Sequence, residues 1–269
     1  MSEPTPSESE STLPSVSVLM AYNARAKQLR NTLESLKHWH GSDHDWIEIV
    51  LVDDSSEDRE ESLRILEDFP FRFKWSYSDR KGRHVRNPGI LYNGAAADAS
   101  HDILMLTCPE VLHEMDVLGT IRTDTKDGHY LVFGCRTLKS IPESFSAYLG
   151  QPETYVDTSF AQGWYQHSRH RPALLHFCSA ITKGDFLKYG GFDPIYDNGA
   201  GYEDNDLVEQ IVGRRMTIHV IDRPFVAHQW HLRPDNDAML DILTRRNWEL
   251  FRLKWGYDPR GFDVHVSAK

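Results

Sequence analysis

Residues 190–206 read Gly-Gly-Phe-Asp-Pro-Ile-Tyr-Asp-Asn-Gly-Ala-Gly-Tyr-Glu-Asp-Asn-Asp, five carboxylates and four glycines ahead of an apolar-periodic segment. Carboxylates so placed can bind hydroxyls or a cation, or take a proton from a reacting group. Gly190, Gly191, Gly199 and Gly201 imply tight turns or a backbone that approaches a ligand closely. Glu203, Asp204 and Asp206 open a helix whose apolar side is Leu207, Ile211 and Val212, where the helix dipole favours ionised carboxylates. The plainer alternative is a helix cap followed by a solvated acidic turn.

The elements that must position these residues alternate between strand and helix. Residues 16–20 form a short buried strand ending at Ala21-Tyr22-Asn23, and Leu29, Leu33 and Leu36 recur at helical spacing after it. A second apolar strand, residues 47–52, stops at Asp53-Asp54-Ser55-Ser56. Leu63 and Leu66 then mark a helix with Ser55 or Ser56 as its cap. Arg86-Asn87-Pro88-Gly89 leads into an alanine-rich helix over 91–99, and a strand over 103–106 ends at Thr107-Cys108-Pro109-Glu110. This order predicts an α/β fold with a mostly parallel sheet, whose ligands lie beyond the carboxyl ends of the strands. Tyr22, able to stack on a planar base, and Asp53 and Asp54, able to accept hydrogen bonds, fall at those ends.

Residues 126–172 give a strand near 130–133 and then a long stretch containing Trp164, Tyr165, His167, Arg169 and His170, the length of a functional or mobile loop. A strand near 218–221, the run His228-Gln229-Trp230-His231 and a terminal helix over about 237–251 complete the chain.

Composition bounds the class. The 269 residues are 40% hydrophobic, enough for one large domain, and carry a formal net charge of −10. That balance opposes a broad nucleic-acid surface, although Arg80, Lys81, Arg83, His84 and Arg86 form a local basic run. The three cysteines (Cys108, Cys135, Cys178) make no disulfide or zinc pattern and fit a reducing, cytoplasmic compartment. Residues 1–14 read as a disordered tail without a signal-peptide core, and no apolar run is long enough for a membrane span.

Four motifs in order resemble those of family 2-type glycosyltransferases with the GT-A fold. They are residues 18–23, Val52-Asp53-Asp54-Ser55-Ser56-Glu57-Asp58, Asn87-Pro88-Gly89, and Gly190-Gly191-Phe192-Asp193 with the galactosyltransferase-like Gly201-Tyr202-Glu203-Asp204-Asn205-Asp206. The resemblance implies a single GT-A domain over 15–269. Within it lie a nucleotide-sugar half (15–120), an acceptor half (121–235) and a helical C-terminal segment (236–269). It implies inverting transfer of a sugar from a nucleotide diphosphate sugar, a UDP-sugar first, to an acceptor hydroxyl, assisted by Mn²⁺ or Mg²⁺. The family's Asp-x-Asp is absent. Glu110, in Cys108-Pro109-Glu110, matches the metal ligand, and His228 the second, with His231 and His113 as competitors.

By the same resemblance Asp204 is the general base. Tyr22, Asp53, Asp54, Arg83 and Arg86 serve the donor, while Glu203, Asp206 and Trp164 serve the acceptor. The rival readings are a non-catalytic sugar-nucleotide-binding module and a glycosyltransferase acting on hydroxylated DNA bases.

Overall fold

The structure is a computed structural model that describes residues 13–83, 87–232, 238–259 and 267–268. The tail over 1–12 and the residues His84 and Arg86 lie outside the described residues. A ten-stranded sheet is built from β1 (Val16–Tyr22), β2 (Ile47–Asp53), β3 (Arg72–Tyr77), β4 (Ile103–Thr107), β5 (Val111–His113), β6 (His129–Thr137), β7 (Trp164–Gln166), β8 (Cys178–Thr182), β9 (Thr217–His228) and β10 (Ser267–Ala268). Its main path runs β10-β9-β6-β8-β4-β1-β2-β3, with β5 paired to β9 and β7 to β6. The helices are α1 (Ala26–His40), α2 (Arg59–Glu67), α3 (Gly89–Asp98), α4 (Val117–Asp124), α5 (Phe145–Gly150), α6 (Lys183–Lys188), α7 (Glu203–Gly213) and α8 (Ala238–Trp255).

The strands β1, β2 and β4 are apolar almost throughout because helices cover both sheet faces. They pair in parallel, while β8 is antiparallel to both β4 and β6, and β6 is parallel to β9. Two reversals restore direction, so the carboxyl ends of β1, β2, β4, β6 and β9 all point to one edge of the sheet. That edge carries the chemistry-bearing residues. One core lies beneath α1, around Met20, Leu29, Leu33, Leu36 and Phe133, and a second beneath α3 and α7, around Leu106, Tyr92, Phe192 and Leu207.

The sheet is mixed, mostly parallel and flanked by helices, as the sequence predicts. Several elements differ from the expectation. β3 is half-exposed at the sheet edge, and its apolar pattern is correspondingly weak. The stretch taken for a long loop contains α5 and β7, with β8 and α6 beyond it. β9 runs on to His228 because residues 222–224 bulge out of register: Phe133 pairs with Ile221 but Gly134 with Phe225. Pro224, which has no N–H for the ladder, sits in that bulge. α2 begins after Asp58, not at a serine cap.

One further feature of α1 positions the site. Beside its leucine face it buries Asn31, Thr32 and Ser35. Asn31 donates to Gln229 Oε1 (2.9 Å), Thr32 to the Pro109 carbonyl (2.7 Å), and Ser35 accepts from His113 N (2.9 Å). Two loops and β5 are thereby held by one helix.

Candidate functional site

Of the five carboxylates in the acidic stretch, the three that open α7 meet three different fates. Gly201 (φ +66°) and Tyr202 (φ 69°) are both left-handed and turn the chain into α7, a conformation that glycine adopts without strain. Asn247 of α8 clamps this turn, donating to the carbonyls of Tyr196 (3.0 Å) and Gly201 (2.8 Å) and filling the space a Gly199 side chain would need. Glu203 is consequently buried and accepts from Asn87 Nδ2 at 2.7 Å. Burial first, and the neighbouring charge of Asp204 second, push its carboxyl up to about 7. Desolvation here outweighs the helix dipole.

Asp204 stays 20% exposed, and its Oδ1 is hydrogen-bonded to Nδ1 of His176. His176 is buried, its ring edge-on to Tyr92 (4.6 Å) and Phe192 (5.1 Å). Burial works to lower the His176 pKa, but the charge and hydrogen bond of Asp204 overcome it and raise the value. Asp204 thus favours the protonated form of the His176 imidazole. No periodicity or motif marks His176 in the sequence, since it sits in the irregular approach to β8.

Asp206 does not face an acceptor. It is fully buried and binds the end of α8, accepting from Trp255 Nε1 (2.8 Å) and pairing with Lys254 Nζ (2.8 Å), with Tyr196 and Gln210 also donating to it. The i, i+3 spacing of Glu203 and Asp206 turns both toward the interior.

At the tips of β1 and β2 the expected donor residues are tied to one another. Tyr22 is 0% exposed, its hydroxyl donates to Asp58 Oδ2 at 2.6 Å and its ring lies 5.7 Å from that of Trp75. It cannot stack on a base from there; an aromatic ring at a strand end was drawn into the core. Asp53 is also fully buried, accepting from the Ser56 backbone N–H (2.8 Å) to shape the loop. Asp54 forms a two-pronged pair with Arg80, 2.7 Å from Nε and 2.6 Å from Nη2. Arg80 Nη1 and Arg83 Nη1 both reach Asp197 of the acidic stretch at 2.5 Å. The basic run is therefore largely neutralised at its described members, and Arg83 is half-exposed at the rim. Arg86 falls outside the described residues.

Between these groups lies the tip of β4. Glu110 is nearly buried, its Oε1 3.0 Å from Arg25 Nε. Arg25, in the loop between β1 and α1, has only its place after a strand tip as a sequence signal. Val111 pairs with His228, and Gln229 N donates to the Glu110 carbonyl at 2.8 Å, so Glu110, in the turn just before β5, lies beside the end of β9 at His228. The Cys108 thiol beside them is pushed up by burial and by the charge of Glu110, and stays neutral. His113 is on β5 rather than on a helical turn; it is buried, and burial holds its pKa down to about 3. His231 lies beside His228, ring centroids 5.4 Å apart.

A carboxylate and an imidazole suit a hard divalent ion such as Mn²⁺. Among the described residues no group of three or more His, Cys, Asp or Glu could hold one. Glu110 and His228 supply a carboxylate and an imidazole at this edge, and Glu110 is paired with Arg25.

Trp164 and Tyr165 alternate across β7. Trp164 packs on Phe225 (5.5 Å) and His167 (4.5 Å). Tyr165 stacks on His228, centroids 4.9 Å apart, and packs on Phe177 (4.8 Å), the neighbour of His176. Tyr165, not Trp164, faces the site. It helps line a pocket of about 280 Å³ with Thr137, Asp157, Phe160, His228 and Trp230.

The model of the family described as Glycosyl transferase family 2 matches residues 17–167, more than half of the chain. A search among curated protein sequences returns no match. Among solved structures, the chain is similar to the mannosyltransferase PcManGT from Pyrobaculum calidifontis in complex with GDP-Man and Mn²⁺ (TM-score 0.57, 16% identity, covering 93% of this chain and 67% of that one). It is similar also to S. aureus TarS 1–349 in complex with UDP-GlcNAc (TM-score 0.61, 16% identity, 89% and 65%) and to S. aureus TarS in a longer form (0.57, 15%, 80% and 37%). The chain spans about two thirds or less of the length of these proteins. With its four ordered motifs, its mostly parallel sheet and its acidic helix start at the reactive edge, the chain belongs to glycosyl transferase family 2 and has the GT-A fold.

Proposed function

We propose that this protein transfers a sugar, with inversion, from a nucleotide diphosphate sugar to an acceptor hydroxyl, and that Asp204 is the general base. The observation that carries the reading is the Asp204 carboxylate: partly exposed at the reactive edge, at a helix N-terminus, and held through Oδ1 by His176. Oδ2 then takes the acceptor proton as the acceptor oxygen forms its bond to the anomeric carbon and the bond to the diphosphate breaks. His176 keeps its own proton and acts as a positioning residue. Glu203, with its raised pKa, carries less negative charge beside Asp204 than an ordinary carboxylate would.

Glu110 and His228 would hold a divalent ion, Mn²⁺ or Mg²⁺, which when bound supplies neutralising charge to the diphosphate. Arg25, against Glu110, is placed to add positive charge on the same side. The two similar glycosyltransferases are complexes with GDP-Man and UDP-GlcNAc, so both nucleotides belong in the test, a UDP-sugar first. No helix among the described residues is long and apolar enough to cross a membrane, and three free cysteines support a cytoplasmic location. Action on DNA bases is disfavoured, because Arg80 and Arg83 are committed to Asp54 and Asp197.

Thermal-shift screening of UDP- and GDP-sugars, with and without Mn²⁺, identifies the donor, since a ligand of the native state raises its melting temperature. Asp204→Asn should keep that shift and lose transfer. Full transfer by Asp204→Asn would overturn the assignment.

A further inference from the structure

The carboxyl ends of β1 and β2 and those of β6 and β9 present opposite chemistries. On the first side stand Arg25, Arg80 and Arg83, cations suited to a diphosphate. On the second, at Thr137 of β6 and His228 of β9, lies the 280 Å³ pocket, whose described lining contains no lysine or arginine. Its walls are aromatic. Trp230 and Phe160 are 46% and 42% exposed, large apolar faces of the kind that mark a binding surface when they adjoin a pocket. Polar groups, the Asp157 carboxylate and the Thr137 hydroxyl, edge it.

The wall is braced from behind. The Arg171 guanidinium lies over the rings of Tyr165 (4.9 Å) and Phe160 (5.3 Å), and Tyr165 is packed between His228 and Phe177. From Phe177 the chain passes directly back to His176, which holds Asp204. The pocket is thus joined to the proposed base through one ring and one residue of backbone.

We infer that this pocket is an acceptor subsite for a neutral pyranose ring, so that the acceptor is a carbohydrate with Trp230 and Phe160 stacked on its sugar. A pyranose has an apolar C–H face for an aromatic ring and a hydroxyl edge for a carboxylate and a hydroxyl. A phosphorylated acceptor would meet Asp157 and no lysine or arginine in the described lining. The pocket is also smaller than the several hundred Å³ that larger ligands occupy, which fits a single terminal sugar. The inference rests on the proposed sugar transfer and adds the class of the acceptor.

The test uses the full chain on an array of neutral oligosaccharides ending in different pyranoses, with wild type, Trp230→Ala and Phe160→Ala. Wild type should be retained on a subset of glycans. Each alanine variant should lower that retention at least tenfold while a nucleotide sugar still raises its melting temperature. Two substitutions keep the test open if one variant does not fold. Absence of retention for wild type that a nucleotide sugar does stabilise would overturn the inference, as would retention unchanged in the folded alanine variants. Failure of the underlying transfer reading looks different: no nucleotide sugar stabilises the protein, or Asp204→Asn transfers normally.

Discussion

The two sides of the reactive edge are built on opposite principles. At the tips of β1 and β2 every expected carboxylate is already paired or buried: Asp53 with Ser56, Asp54 with Arg80, and Arg80 and Arg83 with Asp197. Beyond β6 and β9 part-exposed aromatic rings alternate with polar groups that include one carboxylate, Asp157, and no lysine or arginine lines the pocket among the described residues. A side made of charge pairs is held rigid by electrostatics and its loops by one another. A side made of ring faces presents a preformed apolar surface. Asp204 stands between them, partnered by a residue from neither, His176.

The largest effect should come from that boundary. Replacing a general base by an amide typically costs roughly a hundred- to ten-thousandfold in rate. Asp204→Asn should lose kcat by that order with donor affinity retained, measured by steady-state kinetics on the donor identified by thermal shift. His176→Gln should lose less, because the carboxylate remains but is no longer oriented. If both variants keep wild-type kcat, the boundary between the two sides carries no chemistry and the division of labour fails.

Next comes the charged side. Arg80 and Asp54 are both nearly inaccessible, so Arg80→Ala takes the guanidinium away from the buried Asp54 carboxylate, while Asp197 keeps its pair with Arg83. Breaking a buried pair in this way costs about 3–5 kcal/mol. Chemical denaturation should read a loss of that size, and Asp54→Asn added to Arg80→Ala should recover part of it by removing the buried charge that Arg80 had faced.

A smaller effect distinguishes Glu203. Its folded pKa, about 7, lies above its ordinary value of 4.5, so the native state holds the proton more tightly than the unfolded chain. The stability this contributes is fully present below about pH 4.5 and is lost as pH rises through about 7, on the order of 1–3 kcal/mol. His176 is also raised, so its contribution has the same sign and is lost at higher pH. Denaturation midpoints of wild type should therefore fall between pH 5 and 8. Glu203→Gln, whose amide oxygen can still accept from Asn87, should flatten the lower part of that fall. An equal slope in both proteins would put the shift elsewhere.

The sequence made the parallel sheet legible because β1, β2 and β4 are continuous apolar runs stopped by polar clusters, and both signals are local. It left β3 and β8 unread: β3 is an edge strand with little pattern, and β8 is five residues that only antiparallel pairing with β4 and β6 identifies as a strand. Among the candidate site residues, chain position marked Asp54, Glu110 and Asp204, at strand tips or a helix start, and the family resemblance added His228. Chain position could not announce the partners. Arg25 meets Glu110 across 85 residues and Arg80 meets Asp197 across 117, and charge pairing over such separations leaves no periodicity. Nor could it tell which carboxylates would be buried. Asp206 looks like Asp204 until α8 folds back and places Lys254 and Trp255 on it.

The smallest effect tests where the aromatic side ends. Trp164 and Tyr165 are adjacent on β7, yet only Tyr165 faces His228, because successive residues of a strand point to opposite faces. Trp164 instead fills a niche formed by Phe225, His167 and the Arg136 guanidinium, 5.7 Å from its ring. Trp164→Ala should destabilise the fold by about 1–3 kcal/mol, since the ring is half-buried and part of its packing is lost. Its retention on the glycan array should stay within about threefold of wild type, less than 1 kcal/mol. If Trp164→Ala instead weakens glycan binding as much as Trp230→Ala does, the stacking surface wraps around β7. The aromatic side would then be a continuous shelf reaching the bulge in β9, open to an acceptor longer than a single terminal sugar.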